Sequence, residues 1–350
     1  DPAEVIADLM GNGITVINVA TITTTGTLAA LTTIYATASS NTSFSVSGTS
    51  LTNDITVTAP TGFEVSVSTN SGFGNTVTLT QTSGTVSITT VYVRLKSNST
   101  VAGSPYSGDV TCTSTNAQTV NVATVSSTVT ALGLTITGLT ASNKEYDANT
   151  TATLGGTATL VGVAAADQAN VTLAGTATAT FNNASVGTSK AVTVTGYTLG
   201  GTAAGNYTVS QPTGLTANII AKAASALTID PIANQTFTRL ALTPAIVVKN
   251  GATTLTLGTH YSVAFSNNTN VGTATVTITG IGNYSGTKTA TFSIVAKAAS
   301  TLTIDPIANQ TYTGSALTPS LVVKDGATTL TLGSDYTVAY SNNTNVGTAS

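Results

Sequence analysis

Val91-Tyr92-Val93-Arg94-Leu95-Lys96 alternates apolar with polar residues at every step. A period of two puts Val91, Val93 and Leu95 on one face of an extended strand and Tyr92, Arg94 and Lys96 on the other. The alternation recurs in Ser43-Phe44-Ser45-Val46-Ser47, Val77-Thr78-Leu79-Thr80, Val192-Thr193-Val194-Thr195 and Val276-Thr277-Ile278-Thr279. Each run can bury one face and wet the other, and its β-branched residues suit a pleated surface. Turn formers separate the runs: Asn53-Asp54, Ser107-Gly108-Asp109, Asn250-Gly251 and Asp325-Gly326. The one helix candidate is residues 3–10, ended by Gly11-Asn12-Gly13. Many short strands without helical periodicity predict an all-β chain of Ig-like antiparallel β-sandwiches.

Composition narrows the possible functions. The 350 residues include 78 Thr and 32 Gly but only 10 basic and 13 acidic side chains, with no Trp and one each of His, Cys and Met. Disordered chains are rich in charge and poor in β-branched residues, and this one is the reverse. Ten scattered basic residues make no stripe of the kind that displaces counterions from phosphates, so no nucleic-acid partner is expected. One cysteine permits no intrachain disulfide. Thr, Gly and Ser interrupt every apolar run well short of the roughly 20 residues a membrane-spanning helix needs. The opening Asp1-Pro2-Ala3-Glu4 lacks the basic and apolar regions of a signal peptide, so a signal has been removed or the sequence is an internal piece.

Internal repetition sets the organisation. Residues 221–275 align without gaps on 296–350, with 43 of the 55 positions identical. The first copy continues for 20 more residues, 276–295, holding two strand-like runs, so the second reads as cut short. A weaker series, Phe181-Asn182-Asn183, Val186-Gly187-Thr188 and Gly205-Asn206-Tyr207, matches Phe265-Ser266-Asn267-Asn268, Val271-Gly272-Thr273 and Gly282-Asn283-Tyr284. The resulting division is an N-terminal segment 1–20, a sandwich 21–130, a longer relative of the repeat at 131–220, a repeat 221–295, and an incomplete copy 296–350. Junctions of about five residues, Ala-Lys-Ala-Ala-Ser, predict an extended, semi-rigid string. In segment 1–20 the run Ile14-Thr15-Val16-Ile17-Asn18-Val19 can add a strand to its own first sandwich or complete a neighbouring chain.

Candidate chemistry is sparse. A Cys–His nucleophile pair needs hydrogen-bond contact, and Cys112 and His260 fall in different sandwiches. Zinc needs several Cys or His ligands and calcium about 6–8 oxygens; the nearest acids, Glu145 and Asp147, alternate with Tyr146 and make one pair only. Gly155-Gly156 and Gly200-Gly201 read as turns with no strand-to-helix context for phosphate binding. Tyr207, Tyr261, Tyr284 and Tyr336 recur at matching positions, which favours packing or a tyrosine-corner type of hydrogen bond over ligand contact. No catalytic, cofactor or metal residue is assigned, and the chain is read as a non-enzyme.

Residues 131–219, with Lys144-Glu145-Tyr146-Asp147-Ala148-Asn149-Thr150-Thr151 and the Asn206-Tyr207-Thr208 region, resemble the YDG domain of large bacterial surface adhesins. That family has Gly where Ala148 stands, so a slightly different turn is expected. The repeats, through Tyr312-Thr313-Gly314, Pro319, Asp335-Tyr336-Thr337 and Ser341-Asn342-Asn343, resemble a bacterial Ig-like module of cell-surface proteins; the first copy departs with Phe237-Thr238-Arg239 and His260-Tyr261. Residues 43–66 are similar to a module of secreted Bacteroidetes proteins. The resemblance implies a stalk of a surface adhesin or filament, gliding adhesins among them; the alternatives are carbohydrate- or protein-binding accessory modules of a secreted enzyme, or a strand-exchanging fibre subunit. It further implies extracellular exposure through type IX export, and partners on a host, substratum or neighbouring-cell surface.

Overall fold

The computed structural model describes residues 18–350. The segment predicted as a helix at residues 3–10 lies outside the described residues, as does most of the run 14–19. The chain is all β: among the described residues the helical pieces are 3-10 turns of three residues each, Ala165–Asp167, Ala204–Asn206, Ala224–Ala226 and Ala299–Thr301. It gathers into two compact units, one reaching to residue 144 and including 149–218, the other made of 145–148 and 219–350.

In the first unit, one four-stranded sheet runs in the order Thr21–Thr25, Thr42–Thr49, Val86–Leu95, Phe63–Ser66, and a second in the order Thr76–Leu79, Ile55–Thr58, Asp109–Thr113, Val120–Ala123. The alternation in the sequence becomes the core. Val91, Val93 and Leu95 are fully buried from one sheet, and Ile55, Val57, Val110 and Cys112 from the other. Thr32–Ile34 and Thr128–Thr130 add a small parallel pair.

The next sandwich has a sheet ordered Leu154–Val161, Leu132–Ala141, Tyr207–Val209 and another ordered Lys144–Glu145, Thr216–Ile220, Gly187–Gly200, Thr172–Phe181. Gly155-Gly156 is therefore not a turn but part of a strand. The ladder between Leu132–Ala141 and Leu154–Val161 shifts register between Thr137 and Leu139, where Gly138 and Gly156 face each other at φ +84° and +80°. A Cβ on Gly156 would sit 2.1 Å from the Gly138 carbonyl oxygen, so only glycine lets the two backbones approach this closely.

In the second unit, the sheet Gln235–Thr236, Thr287–Val295, Gly272–Gly280, Tyr261–Ser266 packs Ala274, Val276, Phe292 and Ile294 into a dry cluster. A three-stranded sheet of Thr228–Ile229, Val248–Asn250 and Thr253–Thr254 covers Ile278, Leu227 and Tyr261. The second copy keeps Thr303–Ile304, Val323–Asp325 and Thr328–Thr329. Its residues 336–341 form no strand, whereas the first copy's equivalent, Tyr261–Ser266, pairs with Gly272–Gly280.

The junctions are shorter than the sequence suggested. One residue, Ala131, separates strand Thr128–Thr130 from Leu132–Ala141, and one, Ala221, separates Thr216–Ile220 from Lys222–Ala223. The first Ala-Lys-Ala-Ala-Ser run, 221–225, is not a linker. Its Lys222–Ala223 pairs in parallel with Tyr284–Ser285, and Ala224 is buried with Leu227 in the core.

Candidate functional site

Cys112 is buried in Asp109–Thr113, and burial pushes its thiol up to about 11, so thiolate is scarce at neutral pH. His260 belongs to the other unit. Its Nδ1 accepts the Thr256 N–H at 2.9 Å, as the Oδ2 of Asp335 accepts the Thr331 N–H at 2.8 Å in the second copy. Histidine and aspartate thus do one job, closing a turn with a side-chain acceptor. Glu145 and Asp147 are exposed. Among the described residues no three His, Cys, Asp or Glu side chains cluster as metal ligands would.

Tyr146-Asp147-Ala148 follows strand Lys144–Glu145, and Ala148 sits in the left-handed region at φ 66°. The repeats share the conformation, with Arg239 at φ 66° after Gln235–Thr236 and Gly314 at φ 78°. Glycine tolerates that φ at no steric cost, which is the physical reason for a glycine at the third position of the motif. Ala148 and Arg239 take up a left-handed φ as Gly314 does, and the strain of that conformation falls on them.

The recurring tyrosines all bond. The Tyr261 hydroxyl donates to the Ile246 carbonyl at 3.1 Å and the Tyr336 hydroxyl to the Leu321 carbonyl at 3.3 Å. The Tyr284 hydroxyl accepts from Asn250 Nδ2 at 3.3 Å. The densest polar cluster lies in the first unit. Tyr207 and Tyr35 both donate to the same Oδ2 of buried Asp167, at 2.7 and 2.8 Å, and their rings meet edge to face at 5.3 Å. Beside them Asn206 Oδ1 accepts the Val101 N–H at 3.0 Å. Burial and the neighbouring carboxylate raise both phenols, Tyr207 to about 12. Nothing in the sequence singled out Tyr35 or Asp167, which lie 132 residues apart; the one available signal was a lone acid closing the run Ala164-Ala165-Ala166-Asp167.

Two surface depressions stand open to solvent, one lined by residues 267–273 and one by Asp54, Gln81, Ser114 and neighbours. In the second, Asp54 Oδ1 and Gln81 Oε1 already accept the backbone N–H groups of Gln81 and Gly84. The first unit also carries Arg94 bonded to Glu64 at 2.7 Å and stacked 3.9 Å above the Phe73 ring. These groups hold strands and turns together.

Residues 130–214 match the YDG domain family. No curated protein matches the chain. Among solved structures it is similar to the I9–I11 tandem of titin, with 12% identity, a TM-score of 0.23, and coverage of 79% of this chain and 100% of that one. The family match and the sheets define a string of β-sandwich modules, a structural or binding class of protein. The YDG domain is a non-catalytic module type.

Proposed function

We propose that this chain is a stalk segment of a long bacterial surface adhesin or filament, exported to the cell exterior by the type IX route, whose modules hold a binding region away from the cell. The observation that carries this reading is the repetition itself: two copies, 43 of 55 aligned positions identical, lengthen a chain without adding chemistry. The YDG match at 130–214 supports a surface setting. Thr-rich strands at 7% charge support a role in which hydration is kept without strong fields. The partner is a host, substratum or neighbouring-cell surface. Immunogold microscopy of producing cells, with antibody raised against residues 221–350, tests it. Label along fibres or a surface coat is expected. Label confined to soluble protein in the medium overturns the reading and favours accessory modules of a secreted enzyme.

A further inference from the structure

An aromatic side chain stands at the end of the last strand of each complete sandwich. The Tyr35 N–H donates to the Thr130 carbonyl at 2.8 Å, that of Tyr146 to Ile220 at 2.9 Å, and that of Phe237 to Val295 at 2.9 Å. Two residues beyond Thr130, Leu132 pairs in parallel with Tyr207. Two residues beyond Ile220, Lys222 pairs in parallel with Tyr284. Both tyrosines end a Gly-Asn-Tyr series, Gly205-Asn206-Tyr207 and Gly282-Asn283-Tyr284.

With one residue between the strands, the ring at the end of one strand and the tyrosine paired to the next have to meet. They do so twice, in the same way. In the first unit Tyr35 and Tyr207 are 5.3 Å apart at 76°. In the second unit, which includes residues 145–148, Tyr146 and Tyr284 are 5.6 Å apart at 80°. Polar bonds differ between the two pairs: Asp167 ties the first, whereas Asn250 reaches Tyr284 in the second. The ring geometry and the strand register are the shared part.

We infer that the Tyr35–Tyr207 pair closes the junction within the first unit and couples the stability of the sandwiches on either side of its one-residue linker, and that Tyr146–Tyr284 repeats the same ring geometry within the second unit. Tyr35 and Tyr146 are one position of the repeating pair, and Tyr207 and Tyr284 the other. The inference stands apart from where the chain works or what it adheres to.

Cys112, fully buried and the single thiol, reports opening of the first sandwich in the intact chain. The test measures its labelling by a thiol reagent under native conditions. Tyr207→Ala lies in the next sandwich, yet it is expected to speed Cys112 labelling about tenfold, the size set by an edge-to-face aromatic pair together with its hydrogen bond. Tyr207→Phe keeps the ring and is expected to speed it less. Val194→Ala, in the same sandwich as Tyr207 but away from the pair, is expected to leave the rate unchanged. An unchanged rate in Tyr207→Ala overturns the inference, even if that variant unfolds its own sandwich. So does acceleration by Val194→Ala equal to that of Tyr207→Ala. The second joint is read with Val276→Cys in a Cys112→Ala background, where Tyr146→Ala is expected to speed labelling of the new thiol and no change overturns the recurrence.

Discussion

Residues 221–275 and 296–350 are nearly the same sequence, with residues 276–295 packed on the first copy only. Their local bonds agree. Lys249 meets Asp230 at 2.6 Å and Lys324 meets Asp305 at 2.6 Å. Asn268 Nδ2 donates to the Leu242 carbonyl at 2.9 Å, and Asn343 Nδ2 to the Leu317 carbonyl at 2.9 Å. Their cores do not agree. Tyr261 is buried and Tyr336 half-buried; Ile229 is half-buried and Ile304 is 56% exposed. The difference lies in residues 276–295, which supply Val276, Ile278, Phe292 and Ile294 to the first copy. Turns and ion pairs are set within each copy, whereas burial depends on two strands that come later in the chain.

Adding those strands should erase the comparison. A chain extended past Ser350 by a second copy of residues 276–295 is expected to turn residues 336–341 into a paired strand. Their amides should then gain hydrogen-exchange protection on the order of 10³-fold or more, as a domain of ordinary stability gives; unchanged protection would show that the copies differ for another reason. The reverse experiment is smaller. Ile278→Ala empties a fully buried site in the first copy and is expected to cost about 2–5 kcal/mol in denaturant unfolding of that copy, with no effect on the second.

The motif turn gives a smaller, stabilising effect. Arg239→Gly restores to the first copy the residue the second has at Gly314, and relieves a left-handed φ of 66°. We expect a gain of about 1 kcal/mol, reduced slightly by loss of the exposed Arg239–Asp335 contact at 3.3 Å. Ala148→Gly should gain a similar amount with no ion pair to lose. Burial raises the Tyr261 phenol above its ordinary value. The folded first copy therefore favours the neutral form: the contribution is intact below pH about 10 and is lost as the pH climbs beyond it. Tyr261→Phe should remove that loss, monitored by unfolding across alkaline pH. Asp230→Asn and Asp305→Asn should have the smallest effects, under about 1 kcal/mol each and equal to one another.

Much of this architecture could be read from alternation alone. Val91, Val93 and Leu95 face the core as a period of two requires, and the repeat was visible as identity at a fixed offset. What escaped notice depends on partners far along the chain. Gly155-Gly156 looks like any turn until Gly138 is brought across from it. Ala-Lys-Ala-Ala-Ser looks like a linker until Tyr284–Ser285 pairs with it. Asp167 carries no motif, because its two phenols come from residues 35 and 207.

The parallel pairs at the sandwich ends have a mechanical consequence. In the first sandwich Thr32–Ile34, near the start of the chain path, runs parallel to Thr128–Thr130 at its exit; in the repeat Gln235–Thr236 does the same with the end of Thr287–Val295. Tension that reaches such a pair from its two outer ends slides the paired strands along each other. Every hydrogen bond across the pair is then loaded at once, in shear, instead of being peeled open one after another from an edge.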